Sequence, residues 1–121
     1  MSDNFSKLAR KEIQEELDSL EKIITNCKDD FDVSNNAQGI EKHLHKIKGL
    51  APMMGQEGVG EVARVTDMIL KHVIANGILS GTYQILVQSN ILMRDLFGGF
   101  SKSDLTEFKN KIRKTLPSLR Y

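Results

Sequence analysis

Apolar side chains recur at every third or fourth position through each long segment of the chain, and no long segment alternates strictly between apolar and polar residues. A period near 3.6 residues is typical of helices that bury one face, whereas half-buried strands follow a period of two. The pattern therefore predicts an all-α fold. Glycine, proline and runs of polar residues interrupt the pattern and divide the chain into five predicted helices.

The first predicted helix covers roughly residues 3–28. Its apolar stripe consists of Phe5, Leu8, Ile13, Leu17, Leu20, Ile24 and Cys27. Residues 28–36 are polar and rich in Asp, Asn and Ser, the residue types that cap helices and form turns. We expect a loop over this segment that ends in an N-cap at Ser34 or Asn35.

The second predicted helix ends close to a proline. Its inward stripe consists of Ile40, Leu44, Ile47 and Ala51. Pro52 has no N–H to donate to the carbonyl of Lys48, and its ring crowds that carbonyl, which costs about 3 kcal/mol in a straight helix. We therefore expect the helix to bend or stop near Pro52, with a kink beside Gly49 or a restart at the proline.

Three more helices follow by the same criteria. The third begins among Gly55, Gly58 and Gly60 and ends at Asn76-Gly77, the fourth runs from Tyr83 to Phe97, and the fifth ends near Pro117. The fourth is apolar around much of its circumference, so we expect it to be the most buried. Ser101 and Asp104 resemble a capping box at the start of the fifth.

The connections between successive helices are short, which favours antiparallel neighbours. We therefore expect an up-and-down antiparallel four-helix bundle with one additional helix. A chain of 121 residues that is 40% hydrophobic is large enough for one core. We expect a single domain over residues 1–121 that is complete as a monomer.

Charge and cysteine content exclude several classes of protein. Seventeen Lys and Arg residues against sixteen Asp and Glu give a net charge of +1, which provides no field to attract nucleic acid or an anionic membrane. One cysteine, Cys27, precludes an intramolecular disulfide. The start of the sequence lacks the features of a signal peptide, and there is no run of about eighteen apolar residues. We expect a cytoplasmic protein that binds neither nucleic acid nor membranes.

Two histidines in the second predicted helix are candidates for chemistry. His43 and His45 flank the core position Leu44, so at about 100° per residue their imidazoles lie about 200° apart around the helix. This geometry opposes a metal site that both histidines share. A zinc site built on His43-x-His45 remains an alternative that a zinc titration tests.

The neighbours of the two histidines differ. Lys48 and Gly49 follow His45 by three and four residues, the spacing at which side chains touch across one helical turn. A lysine in this position can neutralise phosphoryl oxygens, and a glycine leaves the approach to the imidazole open. His43 has a lysine and an isoleucine at the same spacings and no such opening.

The spacing of His45, Lys48, Gly49 and Gly55 matches the motif H-x-x-K-G-x-x-x-x-x-G of histidine-containing phosphotransfer domains. Within that family, the chain most resembles the N-terminal phosphotransfer domain of chemotaxis histidine kinases. The resemblance covers approximately residues 35–115.

The resemblance implies a role for each motif residue. His45 would be the phosphoacceptor, Lys48 the cation that neutralises the phosphate, and Gly49 the opening for the partner. Gly55 would be a glycine at which helices pack closely. A carboxylate on the next helix orients the histidine in chemotaxis-type relatives, and the matching position here is Asp67.

The sequence departs from these relatives at three positions. Asp67 is one methylene shorter than the glutamate that is usual there. Arg64 takes a place where some relatives have a polar or histidine partner of the phosphoacceptor. Pro52 is unusual in the middle of the motif.

The resemblance also implies how such a protein works. Neutral His45 would use Nε2 as the nucleophile, while a carboxylate such as Asp67 holds the proton on Nδ1. The partners would be a histidine kinase and a response-regulator receiver domain, and the receiver would supply the Mg²⁺ and the acceptor aspartate. The chain would need no cofactor of its own and would be a phosphorelay carrier in two-component signal transduction rather than an enzyme.

Two other protein classes remain open. A helical adaptor could bind a receiver or a kinase without being phosphorylated, and a phosphorylation assay separates it from a carrier. The dimerisation domain of a sensor kinase also carries a phosphohistidine. The acidic residue and the proline that usually follow the histidine in that class are missing here, with Lys46 and Gly49 instead.

Overall fold

The computed structural model describes residues 3–99 and 105–119. Within these residues the chain forms helices and no strand, which confirms the all-α prediction. The described residues form six helices: α1 (Asp3–Thr25), α2 (Asp30–Asn35), α3 (Ala37–Met53), α4 (Glu57–Asn76), α5 (Thr82–Phe97) and α6 (Leu105–Thr115). This is one helix more than the pattern predicts.

The predicted stripe of α1 is correct except at its start. Ile13, Leu17 and Leu20 are fully buried in the core. Phe5 and Leu8, which the pattern also assigns to the stripe, are exposed, and Ala9 is buried instead. The buried positions recur at three or four residues from Ala9 onward, and Leu8 lies one position off that line.

The prediction of a plain loop over residues 28–36 is wrong, because α2 lies within it. The Asp29 side chain caps this helix by accepting a hydrogen bond of 2.9 Å from a backbone N–H in its first turn. Val33 fixes it to the molecule by being fully buried. Asn36, rather than Ser34 or Asn35, is the residue that precedes the first turn of α3.

The end of α3 confirms the prediction that the helix stops near Pro52. The last helical residue is Met53, and Gly55 follows with a φ of 75°. The Gln56 N–H donates to the Ala51 carbonyl at 2.9 Å, and the Gly55 N–H donates to the Pro52 carbonyl at 3.0 Å. This pair of bonds around a left-handed glycine is a Schellman motif, so Gly55 has the backbone conformation that ends the helix.

The glycine at which α3 and α4 pack closely is Gly60. A Cβ at Gly60 would lie 3.0 Å from Cγ and 3.1 Å from Cδ of Pro52. At Gly55, a Cβ would meet nothing within 4 Å. The packing role expected of Gly55 is therefore wrong, and Pro52 acquires a role in the contact between the two helices.

The predicted ends of the later helices agree well with the structure. The fourth helix, α4, ends at Asn76, and Gly77 follows it with a positive φ; α5 ends at Phe97, before Gly98. Ten of the twenty residues of α4 are buried, against seven of sixteen in α5. The expectation that α5 is the most buried helix is therefore wrong, because α4 is more buried. Ser101 and Asp104, the expected capping box, lie outside the described residues.

The helices share one apolar core. α3 packs against α1 on one side and α4 on the other, while α5 packs against both α4 and α1, and α6 packs on α5. The largest fully buried side chains include Leu17, Leu44, Leu70, Leu86 and Ile112, which come from five different helices. Among the described residues, no helix has the length and apolar character needed to cross a membrane.

Candidate functional site

His45 lies on the outer surface of α3, and 60% of its side chain is exposed. Leu44, one residue before His45, and Ile47, two residues after it, are fully buried and so fix the rotation of α3 about its axis. The imidazole is therefore open to solvent, on a part of α3 that is anchored to the core.

The Nδ1 atom of His45 faces two carboxylates. It lies 3.6 Å from Oδ2 of Asp67 on α4 and 3.8 Å from Oε2 of Glu41 on α3. Both distances exceed the usual length of a hydrogen bond, but at such separations an electrostatic interaction is still effective. Because Nδ1 faces the carboxylates, Nε2 is the ring nitrogen left for a reaction partner.

Asp67 forms the buried base of the site. Only 1% of its side chain is exposed, and its Oδ2 lies 3.2 Å from Nζ of Lys48 and 3.1 Å from Nζ of Lys71. Burial acts to raise the pKa of Asp67, but the interactions with Glu41, Lys71 and Lys48 outweigh it and lower the pKa below its ordinary value. Asp67 is therefore ionised at neutral pH, although its Oδ1 has no hydrogen-bond partner among the described residues.

Glu41 is the second carboxylate, and its pKa shifts in the opposite direction. The interaction with the nearby Asp67 carboxylate is the largest cause, ahead of burial, and together they raise the pKa of Glu41 above its ordinary value. The two acidic groups thus compete for ionisation in front of His45. The sequence prediction missed Glu41 and Lys71, although Glu41 precedes His45 by four residues and Lys71 follows Asp67 by four, spacings that place each pair on one helix face.

Gly49 has the open surroundings that the motif predicts. It is exposed, and a Cβ at this position would meet nothing within 4 Å. Next to it, a shallow groove between α1 and α3 is lined by Glu12, Glu15, Glu16, His45, Lys46, Gly49, Leu50 and Met53. Met53 is half exposed, so the surface beside the imidazole is partly apolar.

Arg64 does not join the site. Its guanidinium donates to Glu61 with Nε–Oε1 and Nη2–Oε2 distances of 2.7 and 2.9 Å, and Nη1 contacts the sulfur of Met68. Lys109 on α6 also binds Glu61, with an Nζ–Oε2 distance of 2.6 Å. The hydrogen bonds from Arg64 and Lys109 lower the pKa of Glu61 to about 2. This cluster connects α4 to α6 and does not include His45.

His43 lies on the other flank of α3, as the helical spacing predicts. Its Nδ1 is 2.7 Å from Oε1 of Glu16 on α1, and only 21% of the side chain is exposed. Lys46 also approaches Glu16, at 3.8 Å. His43 therefore forms part of the contact between α1 and α3.

A group of possible metal ligands coincides with this site. Within residues 3–99 and 105–119, one set of His, Cys or acidic residues has metal-like spacing: Glu41, His45 and Asp67, whose ligand atoms lie within 4.8 Å of one another. The set does not include His43, which the alternative zinc site requires. The ammonium groups of Lys48 and Lys71 already contact Asp67 and would repel a metal cation there.

No protein-family model, curated protein or solved structure gives a significant match to the chain. The geometry around His45 and the motif that surrounds it are therefore the features that bear on function. Both can be tested residue by residue.

Proposed function

We propose that this protein is a histidine-containing phosphotransfer domain that carries a phosphoryl group on Nε2 of His45 and passes it to a receiver-domain aspartate. One observation carries the proposal. An exposed imidazole has Nδ1 directed at two carboxylates, with Lys48 one turn further along α3 and no side chain at Gly49. These are the parts that a nucleophilic histidine needs: a fixed orientation, a nearby cation and open access.

The architecture that we infer is an up-and-down four-helix bundle made of α1, α3, α4 and α5. Its support is the order of packing, since α3 contacts α1 and α4 while α5 contacts α4 and α1. α2 and α6 would then be additions outside the bundle. Such a bundle presents His45 from the middle of a helix held on both sides, which suits a group that must be rigid in front of a partner.

The proposed transfer is a direct displacement at phosphorus. The lone pair of Nε2 forms the new N–P bond while the P–O bond to the donor breaks, and the donor oxygen leaves with the electron pair. The proton on Nδ1 stays in place, so the ring gains a positive charge as the bond forms. Asp67 and Glu41 face that nitrogen and stabilise the charge electrostatically.

Lys48 acts on the phosphoryl group. Its ammonium contacts Asp67 in the unphosphorylated protein, but a third of the side chain is exposed, and it follows His45 by three residues. A rotation of this flexible side chain brings Nζ towards phosphoryl oxygens on Nε2, where it neutralises their charge.

The partners that suit this chemistry are a histidine kinase and a receiver domain, which meet His45 over the open surface at Gly49. The receiver supplies the Mg²⁺ and the acceptor aspartate, and the carrier contributes no cofactor and no turnover of its own. We place this exchange in the cytoplasm and assign it to a monomer. Light scattering that gave an obligate dimer would contradict the monomer.

The proposal is tested by phosphotransfer to the purified full chain from several histidine kinases with radiolabelled ATP. Wild type, His45→Gln and His43→Gln are compared. We expect an acid-labile, base-stable label on wild type and His43→Gln that His45→Gln lacks. A labelled His45→Gln protein contradicts the assignment, and folded wild type that stays unlabelled with every active donor favours an adaptor that only binds its partner.

A further inference from the structure

The contact that should orient His45 is incomplete. Asp67 is the carboxylate that the resemblance to chemotaxis-type domains assigns to Nδ1, yet its Oδ2 lies 3.6 Å from that nitrogen. The same oxygen lies closer to two ammonium groups, at 3.2 Å from Lys48 and 3.1 Å from Lys71. A short side chain held by two lysines cannot easily move towards the ring.

We propose that Glu41 is a second positioning residue for His45, sharing with Asp67 the task of holding the proton on Nδ1. The inference rests on the proposed function, because it concerns the nitrogen opposite the one that is phosphorylated. It adds a residue that the family motif does not contain.

The geometry around Glu41 supports this role. Its Oε2 lies 3.8 Å from Nδ1, on the same helix and one turn before His45. About a fifth of the Glu41 side chain is exposed, against a hundredth for Asp67, so Glu41 has more room to change rotamer. It is also one methylene longer, so a small rotation closes the remaining gap to hydrogen-bond length.

The charges around the ring point the same way. Lys48 and Lys71 carry two positive charges beside the single negative charge of Asp67, so this trio repels the positive charge that the ring gains during phosphorylation. Glu41, when ionised, makes the cluster neutral. It therefore favours the phosphorylated, positively charged imidazole through a contact with Nδ1 and none with phosphorus.

The test uses phosphoramidate, a small phosphodonor that needs no partner protein, on the 121-residue chain. Removing one charge-assisted contact should slow labelling of Glu41→Gln about fivefold, and Asp67→Asn about tenfold. In Asp67→Glu, where the longer side chain reaches Nδ1, a second change Glu41→Gln should alter the rate less than about twofold. A purely structural role of Glu41 would give the same loss in both backgrounds and would overturn the inference.

A second measurement does not depend on phosphorylation. NMR of the imidazole nitrogens gives the fraction of neutral His45 with the proton on Nδ1, which we expect to fall in Glu41→Gln. The matched control is Glu57→Gln, at an exposed position at the start of α4, which should change neither the tautomer nor the labelling rate.

The NMR result separates two kinds of failure. An unchanged tautomer in folded Glu41→Gln would overturn the role of Glu41 even if His45 is phosphorylated. A changed tautomer in a protein that is never labelled would support the role of Glu41 and contradict the proposed function. If Asp67→Glu does not fold, as judged by circular dichroism, the tautomer of Glu41→Gln alone decides the inference.

Discussion

Each of two opposite flanks of α3 carries one histidine, and the burial and the carboxylate contacts of the two imidazoles differ. On the flank that faces α1, His43 is mostly buried and lies 2.7 Å from Glu16. On the flank that faces α4, His45 is 60% exposed, and its nearest carboxylates, Asp67 and Glu41, are 3.6 and 3.8 Å away. The first arrangement is a complete contact between helices, and the second leaves an imidazole oriented but available.

Under the proposed function, this difference separates a structural histidine, His43, from a reactive one, His45. A hydrogen bond of ordinary length with a half-buried partner stabilises the packing of two helices. Long contacts to a pair of charged groups add little stability but fix the electrostatic surroundings of a ring that can still meet another molecule. The comparison predicts that changes on the His43 flank affect folding, whereas changes at His45 itself affect transfer.

The largest effect on stability is expected where α4 approaches α3. Gly60→Val places a branched side chain where even a Cβ would be 3.0 Å from the Pro52 ring, and we expect a loss of about 3 kcal/mol in the free energy of unfolding. Urea denaturation measures the loss. Labelling by phosphoramidate should also slow, because α3 and α4 carry His45 and Asp67 respectively. A Gly60→Val protein as stable as wild type would contradict the close packing at this glycine.

The next effect concerns the buried carboxylate on the His45 flank. Asp67→Asn removes the partner of Lys48 and Lys71, and we expect a loss of about 2 kcal/mol at pH 7. The folded-state pKa of Asp67 lies below its ordinary value of 3.8. The ionised carboxylate therefore stabilises the fold above pH 3.8, and this contribution is lost as the pH falls through the lower folded-state pKa. The difference between wild type and Asp67→Asn in urea denaturation should therefore shrink below pH 3.8. A difference that stays constant to lower pH would argue against an ionised Asp67.

The two histidines can be compared directly by the same substitution. Both His→Ala changes gain similar helix propensity, so the difference between them reports the contacts. We expect His43→Ala to lose about 1.5 kcal/mol through its bond to Glu16. His45→Ala should stay within about 0.5 kcal/mol of wild type, because its side chain is exposed. Equal losses in thermal or urea denaturation would remove the distinction between the flanks.

The smallest effect is a gain in stability. Gly49→Ala adds a methyl group where nothing lies within 4 Å, and helix propensity predicts stabilisation by about 1 kcal/mol. Labelling by phosphoramidate should persist, while transfer to a receiver domain should weaken, because the methyl group occupies the approach to His45. Unchanged transfer to the receiver would show that Gly49 does not serve partner access.

The period of apolar residues predicts the long helices because each of them buries one continuous stripe. It does not predict α2, since this short helix is rich in the Asp and Ser residues that also form turns, and Val33 is its buried side chain. The exposure of Phe5 and Leu8 is likewise outside the pattern, because the positions of neighbouring helices decide it.

The candidate site was predictable to the extent that it lies on single helices. His45, Lys48 and Gly49 follow from spacing along α3, and Asp67 follows from the family resemblance; Glu41 was within reach of the same spacing rule. The close packing of helices at Gly60 instead of Gly55 was not predictable, since only the path of α4 past Pro52 determines which glycine contacts the other helix.

The most direct test of the central claim is to find the atom that is phosphorylated. The full chain is treated with phosphoramidate, and NMR of the imidazole nitrogens is recorded before and after. We predict one new nitrogen–phosphorus coupling, at Nε2 of His45, with His43 unchanged. A coupling at any other histidine, at Nδ1 of His45, or at no histidine in a protein that carries phosphate would contradict this assignment.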